Sequence, residues 1–512
     1  MIEINIKKIV KTLFIYIPLS TSFLLHADEK KITIVTNLTY EQFQDFFKQD
    51  YSNFRVVCIG QPDDSLHENI NYISLNERLG LLGTFWQFAH SCADDEILIP
   101  LLSSEIPAHD QVLRTINAFY QDDQVWMTGD AYYSDTELLH CRKNLLSIEQ
   151  PSTFYAWLFK VIKLQDLTCN NYFFESVYKQ AMFYPMIEMA QRHIALLDEK
   201  LFLASLIHKN ANEADEELIG LEQKEPYKAL NQPILTLRKR EKADLIIFSF
   251  NRPLQLYALL ESVERYIDGI ASIQIIYRPG NKDMRKAYKK VKKRFSSVIF
   301  IKQSSTNPQV DFKRKTLEAL SKGSSNYIVF AVDDIIVKDY VDIADCANYL
   351  KMTHAHGFYL RLGKNITYCY MNKCNQDVPD LIPVSNDVGA WQFKGSGPDW
   401  GCPNTVDMTV YSRKEIVPIL QKLDFDNPNY LEGAWCAHCD INKLGLCFHQ
   451  SKIINIPLNQ VQNCSGCNLS MNISWQELFK QFKNGYKLDI SKLYKIQNNS
   501  PHMEYQPTFI KR

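Results

Sequence analysis

Apolar positions along the chain fall into two successive series of short hydrophobic runs separated by stretches with helical spacing. In the first series KITIVT (31–36), FRVVCIG (54–60) and EILIPLL (96–102) read as strands, and YEQFQDFFKQ and SEIPAHDQVLRTINAFYQ as helices. VWMTGDAYY returns to a strand, and TFYAWLFKVIKLQDL and AMFYPMIEMAQRHIALLDEKLFLASL read as long helices. Residues 207–242 then turn charged and polar, which marks a linker. A second series follows. ADLIIFSFNRP (243–253), IQIIYRP, SVIFIK and YIVFAVDDIIV are strand-like, and LQLYALLESVERY, DMRKAYKKVKKRF and DFKRKTLEALSKG between them are helix-like. Alternation of this kind predicts an α/β fold with mostly parallel sheets and helices on both faces. Ligands in such sheets bind beyond the carboxyl ends of the strands.

Composition narrows the classes. With 57 Lys and Arg against 58 Asp and Glu, and a net charge of −1, the chain is no bulk polyanion binder. The basic run 282–294 holds a single aromatic, Tyr288, too few for interleaved stacking, so nucleic acid is not an expected partner; a solvated face or contact with a membrane surface fits it better. Lys7, Lys8 and Lys11 precede an apolar stretch, Leu13 to Leu25, and Ala27 precedes a polar run. That order predicts a signal peptide or signal anchor over 1–27, hence export or membrane association. The domain plan is therefore a leader 1–27, an N-terminal module 28–206, a linker 207–242 and a C-terminal module 243–512.

Candidate chemistry concentrates in the second series. Asp333 and Asp334 follow directly on the apolar IVFAV, where a strand emerges at the ligand edge. Adjacent carboxylates there suit a hard divalent cation, and they equally suit an Asx turn. The succession FSFNRP, basic helix, DFKRKTLEAL and YIVFAVDDIIVKDY resembles the nucleotide-sugar-binding half of family 2 type glycosyltransferases of the GT-A fold. By that resemblance Ser249, Asn251 and Arg252 contact the nucleotide, and Asp333 and Asp334 hold Mn²⁺ or Mg²⁺ against the diphosphate of a nucleotide sugar donor. Val-Asp-Asp here lacks an aspartate two places earlier, and Asp334 is favoured as the direct ligand. Further expectations are an inverting transfer to a hydroxyl on a glycan or lipid-linked acceptor, with Glu432 or Asp399 as base, and His449 as a further metal ligand. The first series, through AHDQVLRTINAFYQDDQVWMTGD, also resembles a GT-A module. There Ser103 and Ser104 follow the strand where aspartates are expected, and Asp94 and Asp95 precede it, so this tandem module reads as degenerate.

Other features carry weaker expectations. Trp391, Trp400 and Trp435 suit either core packing or stacking on a sugar. Cys436 with Cys439 and Cys464 with Cys467 form two CxxC pairs that fit zinc, disulfides or free thiols. Nucleotide sugars are made in the cytosol, which is in tension with an export leader and leaves a cytoplasmic face open. The alternative from another class is a non-catalytic sugar- or nucleotide-binding protein on a degenerate GT-A scaffold.

Overall fold

A computed structural model describes residues 29–38, 44–60, 70–102, 105–130, 153–197, 201–204, 214–234, 240–461 and 469–512. The expected leader, Ser103, Ser104, Cys464 and Cys467 lie outside these residues. No helix among the described residues is long and apolar enough to cross a membrane. The chain divides into two compact units, residues 1–238 and 239–512.

The first unit is built on a seven-stranded sheet in the order Ile194–Leu197, Met127–Asp130, Thr153–Tyr155, Ile97–Leu101, Ile32–Thr36, Phe54–Ile59 and Ile70–Ile73. Every residue of Ile32–Thr36 and Ile97–Leu101 is buried, as continuous apolar runs require when both faces are covered. Two expected long helices are broken. TFYAWLFKVIKLQDL contributes Thr153–Tyr155 to the sheet, antiparallel to both neighbours, and only Ala156–Lys160 is α-helical. The Tyr155 amide donates to the Trp126 carbonyl and the Ala156 amide to that of Glu96, so sheet hydrogen bonds outcompete the helix. The second run is a helix only over Tyr178–Ala190; Gln191 adopts φ 40°, and the chain continues as strand Ile194–Leu197. Asp94 pairs with Lys160 at 2.8 Å and, with Asp95, precedes strand Ile97–Leu101.

The second unit is built on a nine-stranded sheet. Its strands in chain order are β1 (Ala243–Phe250), β2 (Ile270–Arg278), β3 (Ile299–Lys302), β4 (Tyr327–Val332), β5 (Gly357–Tyr359), β6 (Ile382–Pro383), β7 (Val388–Gln392), β8 (Thr409–Ser412) and β9 (Leu444–Phe448). Their spatial order is β3-β2-β1-β4-β8-β5-β9-β7-β6. Strands β3, β2, β1 and β4 are mutually parallel, as the alternating pattern requires. From β8 onward the sheet is mixed: β8 is antiparallel to both β4 and β5, and β5 is parallel to β9.

Helices α1 (Pro253–Tyr266), α2 (Lys282–Arg294) and α3 (Pro308–Lys322) follow β1, β2 and β3. Pro253 and Pro308 occupy first-turn positions, where a missing N–H costs nothing. Asn281 caps α2 by accepting from the Met284 amide at 2.8 Å. Helix α2 buries Met284, Ala287, Tyr288 and Val291 and turns its lysines outward. The core under β1 and β4 joins Ile246, Phe248, Phe312, Phe330, Tyr411 and Trp435.

Candidate active site

β1 and β4 lie side by side, in parallel register from Ala243↔Tyr327 to Phe248↔Val332. The residues that follow the last pair, Ser249 and Asp333, therefore emerge together at one edge of the sheet. Ser249 Oγ donates to Asp333 Oδ2 at 2.8 Å, and the Phe250 amide donates to the same oxygen at 3.2 Å. Tyr288 on α2 shares a 2.7 Å hydrogen bond with Ser249 and accepts from the Arg252 amide at 3.3 Å. Arg252 Nη1 lies 3.0 Å from Asp333 Oδ1 and 3.0 Å from Asp334 Oδ2, and its Nη2 donates to the Asn459 carbonyl. Its Nε is buried with no partner among the described residues, which leaves one donor for a ligand or water. Burial pushes the Asp333 carboxyl up to about 6, with Arg252 pulling it down and Asp334 adding to the rise.

These residues form one wall of a cleft of about 1410 Å³ within the second unit. The loop before β8 and helix α4 (Pro428–Cys436) line the same cleft. Pro428 opens α4, and Asn427 caps it by accepting from the Asn429 and Tyr430 amides. The next turn places Glu432 on the cleft, where Oε1 accepts from Thr405 Oγ1 at 2.8 Å and from the Val406 amide at 2.7 Å. Burial first, and the Asp407 carboxylate second, push Glu432 up to about 7. A carboxylate poised there is suited to proton transfer near neutrality.

The structure sorts the candidates from the sequence. Ser249, Arg252, Asp333, Asp334, Asp399 and Glu432 all line the cleft. Asp399 is nevertheless committed elsewhere: Arg361 Nη1 donates to its Oδ1 at 3.2 Å and Gln376 Nε2 to its Oδ2 at 2.8 Å. With both oxygens held in a buried pair, it suits positioning and not proton abstraction. Asn251 turns the chain at φ 56° and accepts from the Gly280 amide at 2.6 Å; it does not line this cleft. His449 also lies away from it, in the turn after β9, with its backbone bonded to Asp387 and Lys364. Sugar stacking on the tryptophans is overturned, because Trp391, Trp400 and Trp435 are fully buried. Trp391 Nε1 donates to the Trp400 carbonyl and Trp400 Nε1 to that of Ile366, so the first two indoles are satisfied inside a core. Cys436 pairs spatially with Cys402, Sγ to Sγ 3.6 Å, a neighbour that the CxxC spacing does not indicate.

Missed by the sequence reading are Tyr288, Arg278, Arg361, Asp407 and Asn459. Arg278 lies over the Phe250 ring at 3.9 Å on the cleft wall. Asp407 sits at the amino end of β8, and because β8 is antiparallel to β4 that end falls at the same sheet edge as Asp333.

A divalent cation would meet a donor set of uneven readiness. Both oxygens of Asp333 are engaged, whereas no protein hydrogen bond reaches Asp334 Oδ1 among the described residues. No cluster of three His, Cys, Asp or Glu side chains fit to hold a metal occurs among the described residues. A cation that takes one or two carboxylates and fills its other positions with substrate phosphate and water fits this arrangement, with Asp334 as the direct ligand and Asp333 behind it.

No protein-family model matches the chain. Its sequence is similar to that of a glycosyltransferase. The bifunctional glycosyltransferase pgtA of Dictyostelium discoideum is 27% identical over 198 residues, covering 34% of this chain and 24% of that protein. This chain thus matches about a quarter of that relative's length. Solved structures with some likeness include S. aureus TarS 1–349 in complex with UDP, 11% identical, covering 41% of this chain and 58% of that one with a TM-score of 0.29. S. aureus TarS itself is 11% identical over 40% of this chain and 35% of that one, TM-score 0.28. At such values the structural likeness carries no functional weight.

Proposed function

We propose that the chain is a metal-dependent, inverting glycosyltransferase whose second unit moves a sugar from a nucleotide-diphosphate donor to a hydroxyl of a glycan or lipid-linked acceptor. The observation that carries this reading is the convergence of two acidic groups on one cleft. Asp333 and Asp334, paired with Arg252, and Glu432, pushed up beside Asp407, all line it. The sequence match to pgtA supports it. The first unit, with its aspartates at the wrong end of the strand, is read as a degenerate or acceptor-side module.

Glu432 takes the proton from the acceptor hydroxyl. Its Oε1 is already engaged by Thr405 and Val406, so Oε2 is the receiving atom. The acceptor oxygen attacks the anomeric carbon from the face opposite the departing diphosphate, which inverts the centre. Arg252 and Arg278 face the negative charge that builds on the leaving group. When bound, Mn²⁺ or Mg²⁺ at Asp334 supplies further neutralisation of the diphosphate. The exposed lysines of α2 suit anionic headgroups around a lipid-linked acceptor.

The test is a donor-hydrolysis screen across nucleotide sugars, paired with melting of the full chain in UDP or GDP with Mn²⁺. Binding only to the folded state raises the melting temperature. Turnover of one donor, and a nucleotide shift lost in Asp334→Asn, are the expected results. A second reading, a non-catalytic sugar- or nucleotide-binding protein, draws on the neutralisation of Asp333 and Asp334 by Arg252. It predicts no turnover of any donor, and no shift with any nucleotide sinks the transferase reading in its favour.

A further inference from the structure

We propose that Cys402 and Cys436 form a reversible disulfide in the cleft wall, a redox modification site that ties the loop before β8 to the helix carrying Glu432. The two sulfurs are already in contact at 3.6 Å, and both face the Asn404 carbonyl, at 3.6 Å from Cys402 and 3.3 Å from Cys436. Both residues are half-buried and line the cleft, so a small oxidant reaches them through the same opening as a substrate. Cys436 lies one turn beyond Glu432 on α4, and Cys402 lies three residues before Thr405, which holds Glu432. A bond between the sulfurs would therefore join the two segments that set the position of the carboxylate. Only its effect on turnover rests on the reading of Glu432 as base; the bond itself does not.

The chemistry is thiol–disulfide exchange with an oxidised low-molecular-weight thiol such as glutathione disulfide. Cys402 is the attacking group, because the hydrogen bond from Cys436 and the Arg361 cation hold its thiol below the ordinary value. Its thiolate attacks one glutathione sulfur and expels a glutathione thiolate, which takes up the proton. Cys436 then loses its proton, attacks the Cys402 sulfur and expels the second glutathione. Two electrons and two protons pass from the pair to the oxidant, and the sulfurs close to ~2.05 Å. Drawing α4 toward the loop by this amount displaces Glu432, and a misplacement of ~1 Å in a reacting group lowers turnover ~100-fold.

The reduced full-length chain is incubated with glutathione disulfide, its remaining thiols are alkylated, and a non-reducing digest is mapped by mass spectrometry. The expected product is a peptide pair joined through Cys402 and Cys436 and separated by dithiothreitol. Alkylated or glutathionylated Cys402 and Cys436, or a Cys436–Cys439 bond in place of the pair, overturns the proposal. Cys436→Ala is expected to stop at a glutathione adduct on Cys402. Should that variant not fold, early time points of the wild-type reaction are mapped instead: a glutathione adduct on Cys402 that gives way to the 402–436 bond supports the closed bond, and an adduct that persists refutes it. If a donor is turned over, oxidation is expected to lower its turnover at least ~10-fold, reversibly; unchanged turnover refutes the coupling to Glu432. A mapped 402–436 bond in a chain whose reduced form turns over no donor would sink the transferase reading and leave the redox site standing.

Discussion

Arg252 is bound to Asp333 through a 3.0 Å ion pair whose two members are almost completely withdrawn from water. The same guanidinium nitrogen reaches Asp334, so a single cation compensates two adjacent carboxylates. Arg252→Ala removes it and strands both, at a cost of ~3–5 kcal/mol by urea unfolding near pH 8. Asp333 already protonates at about 6, well above its ordinary value of 3.8. Without Arg252, which pulls that value down, the variant's Asp333 protonates above 6, so the loss should shrink as pH falls from 8 toward 6. An equal loss at pH 5 and pH 8 would contradict the ion-pair account.

Glu432 sets a second pH dependence. Its carboxyl is raised from 4.5 to about 7 by burial and by Asp407, so the deprotonated form that the proposed base role requires accumulates only as pH rises through 7. The acid limb of the kcat/KM profile should have its midpoint near 7. Asp407→Asn removes a like charge and should move that limb to lower pH, while Glu432→Gln should lower kcat ~10²–10⁴-fold and abolish the limb. Stability runs the other way. A carboxyl with a raised folded-state pKa contributes stability that is full below 4.5 and lost as pH rises through 7. Glu432→Gln should accordingly flatten the fall in melting temperature across that window.

The division between what the chain order reveals and what it hides follows sheet geometry. Strands β1 to β4 were legible because continuous apolar runs between amphipathic helices admit few arrangements, and parallel pairing then puts Ser249 and Asp333 at one edge. Asp407 was illegible for the converse reason: its strand runs antiparallel to β4, so its amino end reaches the ligand edge, a reversal that periodicity does not encode. The tryptophans left core packing and sugar stacking both open because sequence does not show whether a carbonyl deep in a core satisfies the indole N–H, as that of Trp400 does for Trp391. Cys436 misled because its neighbour Cys402 is remote in sequence and adjacent only after folding.

Asp399 and Glu432 line the same cleft but should respond differently to substitution. Asp399→Asn leaves Arg361 without its buried counter-ion and should cost ~3–5 kcal/mol in stability. Because both Asp399 oxygens are held by Arg361 and Gln376, the acid limb near pH 7 should stay in place for whatever activity survives. A displaced or missing limb in Asp399→Asn would return this residue to the position of base.

Tyr288 connects the basic helix to the acidic pair through a chain of hydroxyls. Its hydroxyl shares a hydrogen bond with Ser249, which donates to Asp333, and it also accepts from the Arg252 amide. Tyr288→Phe deletes one oxygen with little change of volume, so its effect reports the network and not the packing. The Arg252 amide and one side of Ser249 lose their partner inside a buried site, a penalty of ~1–3 kcal/mol. If Asp333 and Arg252 bind the donor, as proposed, the change should appear as a higher donor KM, ~10-fold for each 1.4 kcal/mol, with the pH limb of Glu432 unmoved. Ser249→Ala breaks the same chain one link further on. The double variant should therefore cost less than the sum of the two single variants, because a network already severed has little left to lose. Strict additivity in that double-mutant cycle would show that Tyr288 and Ser249 act separately on the pair.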